Sequence, residues 1–131
     1  MKKLEVVAIK MLTKCMEHGK VFIITNAAEG WVEFSTRKYL PKLKKLIGKI
    51  DVISARTKFE EMFPNEYQQW KMHAFLETLD HLELGAVTNL IALGDSHMEL
   101  DAAQHLGTKF GKSLIKTVKF RENPTPDEII K

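Results

Sequence analysis

The sequence has few of the features that mark secreted, membrane or nucleic-acid-binding proteins. Its single cysteine, Cys15, cannot form an internal disulfide, which excludes a disulfide-built domain and favours a reducing compartment. No apolar run approaches the roughly 18 residues of a membrane-spanning helix, and charged residues interrupt the apolar N-terminal stretch too often for a signal peptide. The net charge of +3 is too small to predict a nucleic-acid or membrane partner. We therefore expect a cytoplasmic protein.

Apolar and charged residues are present in ordinary proportions for a soluble globular protein, at 44% and 28% of the chain. The 131 residues are enough for one domain with a substantial hydrophobic core. No internal repeat, low-complexity segment or linker divides the sequence. We therefore predict a single domain over residues 1–131.

Helical and strand patterns alternate along the chain. Apolar residues at three- and four-residue spacing predict helices, and short β-branched apolar runs predict buried strands. The predicted strands are residues 21–25, 49–54, 89–93 and 114–118. The predicted helices are residues 4–18, a helix from 29 that Pro41 kinks or divides, 70–82, 97–105 and a short one from 126. Residues 55–69 are predicted to be irregular, with room for one helical turn, and Gly85 is predicted to close the helix 70–82.

This alternation predicts the fold class. Strands that alternate with helices of this length imply right-handed crossovers and a parallel sheet. We therefore predict a three-layer α/β fold with a mostly parallel sheet of about four strands. Ligands of such sheets bind outside the carboxyl ends of the strands, so residues that directly follow a strand are the first candidates for a site.

Polar side chains occur at these positions. Thr25 and Asn26 end the first predicted strand, Asp95 and Ser96 follow the third, and Lys71 begins the helix that leads to it. A hydroxyl and an amide can donate to phosphate oxygens, and an ammonium group offsets the phosphate charge. A carboxylate after a strand suits Mg²⁺. The candidate phosphate-binding residues are therefore Thr25, Asn26 and Lys71, and the candidate metal ligand is Asp95.

Glu99 lies four residues after Asp95 and has two alternative roles. It either orients a metal-bound water or complements the positive N-terminus of its helix. The other candidates also have ordinary alternatives, because a Thr-Asn pair after a strand is a common turn and a lysine at a helix start is often solvated. Their occurrence in this order, each on the expected element, favours a site.

In this order the motifs resemble the haloacid dehalogenase (HAD) superfamily, mostly Mg²⁺-dependent phosphatases with a Rossmann-like fold. VFIITN resembles the motif in which a strand ends in Thr or Ser, here Thr25, and QWKMHAF resembles the lysine motif, here Lys71. NLIALGDSHMELDAA resembles the acidic motif, with Asp95 and Glu99. The resemblance covers about residues 21–120, and TNAAEGWVEFS is similar to an uncharacterised eukaryotic subgroup. It implies that Thr25 and Lys71 are catalytic and that Asp95 and Glu99 bind Mg²⁺.

One motif of the superfamily has no counterpart. An Asp-x-Asp pair, which supplies the nucleophile and the general acid and base, belongs before the strand that ends at Thr25, yet no aspartate precedes Asp51. The resemblance therefore implies an N-terminally truncated domain whose first, central strand is missing. That strand would lie between the strands that end near Thr25 and Asp95. Either those two strands pair directly, or another segment such as a second copy of the chain fills the gap, or a longer protein carries the motif upstream.

The expected function follows from this departure. We expect a HAD-like phosphatase core present as a fragment or degenerate copy and inactive as given, because phosphoryl transfer lacks its attacking group. An active form would act on a phosphorylated small molecule or a phosphoprotein, and Mg²⁺ binding would be weakened or lost without the missing carboxylates. The alternative is a non-catalytic module that binds phosphate or forms a homodimer. A flavodoxin-like or response-regulator-like domain fits less well, since no flavin-phosphate loop and no acidic cluster after the first strand is evident.

Several other residues are expected to be structural. Trp31 and Trp70 are expected to pack in the core or at its rim, and Cys15, on the apolar stripe of the first helix, is expected to be buried. The five histidines show no metal-ligand spacing. The basic residues within 37–49 and 109–121 are expected to lie on solvated faces.

Overall fold

A computed structural model describes residues 1–82, 89–111 and 113–130 and shows a mixed α/β chain. The strands are β1 (Phe22–Thr25), β2 (Asp51–Ser54), β3 (Asn89–Gly94) and β4 (Leu114–Lys119). The α-helices are α1 (Lys2–His18), α2 (Trp31–Tyr39), α3 (Lys44–Ile47), α4 (Ala55–Phe59), α5 (Tyr67–Glu77), α6 (His97–Gly107) and α7 (Pro126–Ile130). Short 3-10 helices cover Pro41–Leu43 and Thr78–His81. The predicted alternation of helices and strands is present.

The structure decides two stretches that the sequence leaves open. Pro41 divides the predicted helix, since it opens a 3-10 helix between α2 and α3, as expected of a residue that fits a first helical turn. Residues 55–69 contain α4, which follows β2 directly because the Ser54 hydroxyl accepts the Thr57 N–H at 3.1 Å and caps it. The predicted stop at Gly85 lies outside the described residues.

The strands form two separate parallel sheets and not the single predicted sheet. β1 pairs with β2, with Thr25 opposite Ser54, and β3 pairs with β4, with Gly94 opposite Lys119. Among the described residues β1 is not hydrogen-bonded to β3. The direct pairing of the strands that end near Thr25 and Asp95 therefore does not occur in the described part of the chain.

The main core lies between the β1–β2 sheet and the helices α4 and α5. Its buried members are Ile53, Ala55, Trp70 and Ala74, and the partly buried Phe22, Ile24, Phe59 and Phe63 pack against them. The Trp70 indole N–H donates to the Phe63 carbonyl at 2.6 Å, so the polar atom of this buried ring has a partner. Trp70 packs in the core as predicted, whereas Trp31 lies half-exposed at the surface beside Phe34.

Within the part of the chain that the structure describes, the β3–β4 sheet is covered on one face. Helix α6 packs on this sheet through the buried residues Ala102, Ala103 and Leu106, and Ala92 of β3 is buried with them. On the opposite face Ile91 and Leu93 are 56% and 43% exposed, and Leu114 and Val118 of β4 are similarly open. The prediction of a fully buried strand is therefore wrong for this face of β3, because an apolar run cannot show whether a second layer covers it.

Helix α1 packs against the 3-10 helix at Pro41–Leu43, α3 and α7. Its Glu5 is buried, and the carboxylate accepts the Lys42 backbone N–H at 2.7 Å, which offsets the cost of burying the charge. Cys15, predicted to be buried, is half-buried. None of the described helices combines the length and apolarity needed to cross a membrane.

Candidate functional site

Lys71 lies where the β1–β2 half of the chain meets the β3–β4 half. Its side chain is only 6% exposed, and the ammonium nitrogen lies 3.3 Å from the Ile24 carbonyl oxygen of β1 and 3.1 Å from a carboxylate oxygen of Glu99 in α6. An ammonium group has three N–H donors, so one remains without a partner among the described residues. The lysine that the sequence singled out is therefore beside the carboxyl end of β1, next to Thr25.

Glu99 balances the charge of Lys71 and also caps its own helix. The Ser96 backbone N–H donates to the second Glu99 oxygen at 3.1 Å, and the Ser96 hydroxyl donates to the same oxygen. The Ser96 side chain also accepts the Glu99 backbone N–H, and this bond and the one from the Ser96 N–H form a capping box at the start of α6. Burial raises the pKa of Glu99, but the hydrogen bonds from Ser96 and Lys71 and the positive charge of Lys71 outweigh burial and bring the pKa below the ordinary value. Both oxygens of this carboxylate are thus in use.

Thr25 lies at the end of β1 and orders the loop that follows. Its hydroxyl oxygen accepts the Ala27 N–H at 3.1 Å, which leaves the hydroxyl proton free to be donated. Ser54, opposite Thr25 on β2, donates to the Ala27 carbonyl at 2.7 Å and holds the same loop. The geometry therefore presents the Thr25 O–H as a donor at the carboxyl end of the sheet.

Asn26 has fewer free donors for a phosphate than its position in the sequence implies. Its side-chain N–H₂ donates to the Tyr67 carbonyl at 3.4 Å. Its amide oxygen is buried and has no hydrogen-bond partner among the described residues. The N–H₂ group has two donors, and the bond to Tyr67 uses one of them, so one N–H of Asn26 remains without a partner among the described residues.

Asp95 is the exposed member of the candidate set. It lies in the turn between Gly94 and α6, and its carboxylate makes no ion pair or hydrogen bond with the described residues. Residues 1–82, 89–111 and 113–130 contain no group of three or more acidic, histidine or cysteine side chains placed to hold a metal ion. Since Glu99 is committed to Lys71 and Ser96, Asp95 alone keeps free oxygens. Among the candidate residues, Asp95 is therefore the one whose carboxylate could hold Mg²⁺, with water or phosphate oxygens as further ligands.

A small cavity of about 60 Å³ is lined by Thr25 and by residues at the start of α2. Glu29, Glu33 and Ser54 contribute to its wall, and Lys71 and Asp95 are not part of it. Two carboxylates in the wall disfavour an anion, so this cavity is not the candidate phosphate site.

Two residues that support the candidate site, Ser96 and Ser54, are not among the predicted site residues. Ser96 connects Glu99 to the start of α6, and a Ser with Glu three residues later is a recognisable capping-box signal. Ser54 holds the loop after β1, and no local signal indicates this, since its partner Ala27 is distant in sequence. The ion pair of Lys71 with Glu99 likewise depends on how α5 packs against α6.

Comparisons with known proteins give no further information about this site. No family model matches the chain, and no curated protein or solved structure gives a significant match.

Proposed function

We propose that the chain is the phosphate-binding part of a HAD-like phosphatase domain with a Rossmann-like fold, and that it does not hydrolyse phosphate esters by itself. The observation that supports this is the position of Lys71, a nearly buried ammonium group at the carboxyl end of β1, beside Thr25. Buried lysines are rare unless they are paired. Here the lysine is paired and still has one N–H donor for an anion.

In this proposal, the Thr25 hydroxyl and the remaining Lys71 N–H donate to phosphate oxygens of a phosphorylated small molecule or phosphoprotein. Asn26 adds the second N–H of its side-chain amide, since the first donates to Tyr67. Asp95 is the residue that would hold Mg²⁺, and Glu99 would join it only by leaving Lys71 and Ser96. Water and phosphate oxygens would complete the ligands of the metal beside Asp95.

The lack of activity follows from the missing nucleophile. No aspartate precedes β1, and the first in the chain, Asp51, lies opposite Phe22 at the amino end of the sheet. A hydrogen bond from Lys20 lowers the pKa of Asp51 and holds it there. Since Thr25 is at the other end of the strand, Asp51 cannot attack a phosphate bound beside it.

Calorimetric titration with inorganic phosphate tests the binding half of the proposal. We expect measurable binding by the wild-type chain, at least about threefold weaker binding by Thr25→Val, and near wild-type binding by Thr25→Ser, which keeps the hydroxyl. The charge-neutral double variant Lys71→Met, Glu99→Gln should lose binding without leaving an unpaired buried charge. A folded wild-type chain that binds no phosphate would contradict the proposal.

An assay with p-nitrophenyl phosphate and Mg²⁺ tests the catalytic half. We expect no turnover above the buffer rate, because the attacking carboxylate is absent. Turnover that Asp95→Asn abolishes would show that the chain is an active phosphatase.

The split of the sheet favours a second candidate function, a non-catalytic interaction module. In the superfamily a central strand lies between the counterparts of β1 and β3, and both strands have an open edge in the described part of the chain. A stable dimer in light scattering, together with no phosphate binding, would favour the module over the phosphatase fragment.

A further inference from the structure

The stretch from Phe34 to Ile50 contains basic residues and no acidic residue, so the small net charge of the whole chain hides a strongly positive segment. Its basic residues are all exposed, and they are Arg37, Lys38, Lys42, Lys44, Lys45 and Lys49. None of them forms an ion pair with the described residues. By contrast, Lys14, Lys20 and Lys58 each pair with a carboxylate of this chain. The positive charge of the segment is therefore available to an anionic partner.

Helix α2, where this segment begins, exposes its aromatic residues. Trp31, Phe34 and Tyr39 are 51%, 45% and 48% exposed, whereas the polar Thr36 of the same helix is buried. A surface helix ordinarily turns its apolar residues towards the core and its polar residues towards water. Large apolar side chains that are exposed together are typical of an interaction surface.

The exposed rings and the positive charge belong to one surface. The ring centroids of Trp31 and Phe34 are 5.8 Å apart, and the Lys38 ammonium lies 5.7 Å from the Phe34 centroid and 5.2 Å from that of Tyr39. Residues 31, 34 and 38 have the spacing of one helix face. Helix α2 also packs against the two short helices that follow it, which carry further lysines. We call the three aromatic residues and the six basic residues the α2 patch.

We propose that the α2 patch binds the surface of an anionic lipid bilayer. Tryptophan and tyrosine rings prefer the boundary between lipid and water, and a group of about four to eight basic residues on an amphipathic helix is typical of binding to anionic lipids. Helix α2 has nine residues, too few to cross a bilayer, so it lies along the surface. The aromatic rings enter the headgroup region and the basic side chains contact the lipid phosphates and carboxylates.

The rings favour a bilayer over the other polyanions that such a surface attracts. Binding to single-stranded nucleic acid depends on bases that stack on open ring faces. Here the Phe34 ring lies beside Trp31 and has Lys38 over it, and the same ammonium group lies over Tyr39. A compact group of rings is better suited to insertion among lipids. The inference goes beyond phosphate binding at Lys71 and does not depend on it.

Cosedimentation of the full chain with lipid vesicles tests the proposal. We expect saturable binding to vesicles of phosphatidylcholine with about 30% phosphatidylserine, weaker binding at high salt, and little binding to phosphatidylcholine alone. No binding to the anionic vesicles, or equal binding to the neutral ones, overturns the proposal. Tighter binding to an oligodeoxythymidine or to polyglutamate than to the anionic vesicles also overturns it, since the partner would then be a nucleic acid or an acidic protein.

A matched pair of double variants locates the binding. Lys38→Gln with Lys44→Gln removes two charges of the α2 patch and should weaken binding to the anionic vesicles at least about tenfold. Lys109→Gln with Lys116→Gln removes two charges from exposed positions outside the patch, also without an ion pair to the described residues, and should bind like the wild type. Equal losses for the two double variants overturn the proposal.

Tryptophan fluorescence of the full chain shows whether the rings enter the bilayer. Emission should move to shorter wavelengths on addition of the anionic vesicles, because Trp31 is exposed, whereas Trp70 is already buried in the core. Trp31→Phe keeps an aromatic ring and should still bind, but without the shift. No shift for the wild type at saturating vesicles, or the same shift for Trp31→Phe, overturns the proposal.

A variant of the candidate phosphate site separates the two proposals. Lys71→Met with Glu99→Gln should lose binding of inorganic phosphate and still bind the anionic vesicles like the wild type, because neither residue belongs to the α2 patch. Loss of vesicle binding by this folded double variant overturns the assignment to the patch.

Discussion

The β1–β2 sheet and the β3–β4 sheet are both pairs of parallel strands with adjacent helices, but they are buried to different extents. Ile53 of the first is 5% exposed, with Trp70 and Ala74 packed beside it, and every residue of β1 and β2 is at least half-buried. In the second, apolar residues that face away from α6 are exposed to solvent, and Ile91 is 56% exposed. Apolar strands alone therefore do not make a core, because each face needs a covering layer.

The largest expected effect on unfolding free energy is that of replacing a buried tryptophan, and replacing an exposed tryptophan is the comparison. Trp70→Ala should lower the free energy of unfolding by about 4 kcal/mol, because it removes a ring that is 1% exposed and leaves a cavity in the main core. Trp31→Ala, at a ring that is 51% exposed, should cost well under about 1 kcal/mol. Urea denaturation measures both, and similar costs would show that the core is not centred on Trp70.

A second variant tests the contact that joins the two halves. Lys71→Met leaves Glu99 as a nearly buried carboxylate without its cation, so we expect a loss of about 3 kcal/mol in unfolding free energy. Adding Glu99→Gln should recover part of that loss, since no unpaired charge then remains. A double variant no more stable than Lys71→Met alone would mean that the two side chains are not energetically coupled.

The same ion pair predicts how stability depends on pH. Glu99 has a lowered pKa in the folded chain, so its contribution is fully present above the unfolded value of about 4.5 and is lost as the pH falls through the folded value. Unfolding free energies between about pH 6 and pH 3 should fall less steeply for Glu99→Gln than for the wild type. The exposed Glu61→Gln is the control and should follow the wild-type curve.

A smaller effect concerns the start of α6. Ser96→Ala removes the capping hydroxyl that bonds to Glu99, and we expect a cost of about 1 kcal/mol. Ser35→Ala is the matched control, because the Ser35 hydroxyl only donates to the Val32 carbonyl within its own helix. Equal costs for the two variants in thermal unfolding would argue against the capping box.

The smallest effect is expected on the open face of the β3–β4 sheet. Ile91→Thr keeps a β-branched side chain at an exposed position and should change unfolding free energy by less than about 0.5 kcal/mol. Ile53→Thr makes the same change in the buried sheet and should cost several-fold more. A large cost at Ile91 would mean that this face is covered in solution, by a second copy or another part of the chain.

Much of the local structure follows from the sequence, whereas the pairing of strands does not. The apolar run before Thr25, the proline at position 41 and the Gly-Asp-Ser turn after β3 each predict the element that is observed there. The position of α4, a five-residue helix in the stretch predicted to be irregular with one possible turn, does not follow from the sequence, because its cap depends on Ser54, which the pattern assigns only to the end of a strand. Lys71 was singled out as a phosphate ligand, but its contacts with Ile24 and Glu99 depend on the packing of α5 against α6.

The sequence by itself determined the order of helices and strands, the polar residues that follow the strands and the absence of any aspartate before Asp51. These are properties of single residues and of short-range periodicity. Only the tertiary structure decided that the strands form two sheets and that Glu99 contacts Lys71 and Ser96. It also decided that the Asp95 carboxylate has no ion pair or hydrogen bond with the described residues. Such outcomes depend on contacts between residues far apart in the chain, and among the described residues no strand pairing joins the β1–β2 sheet to the β3–β4 sheet.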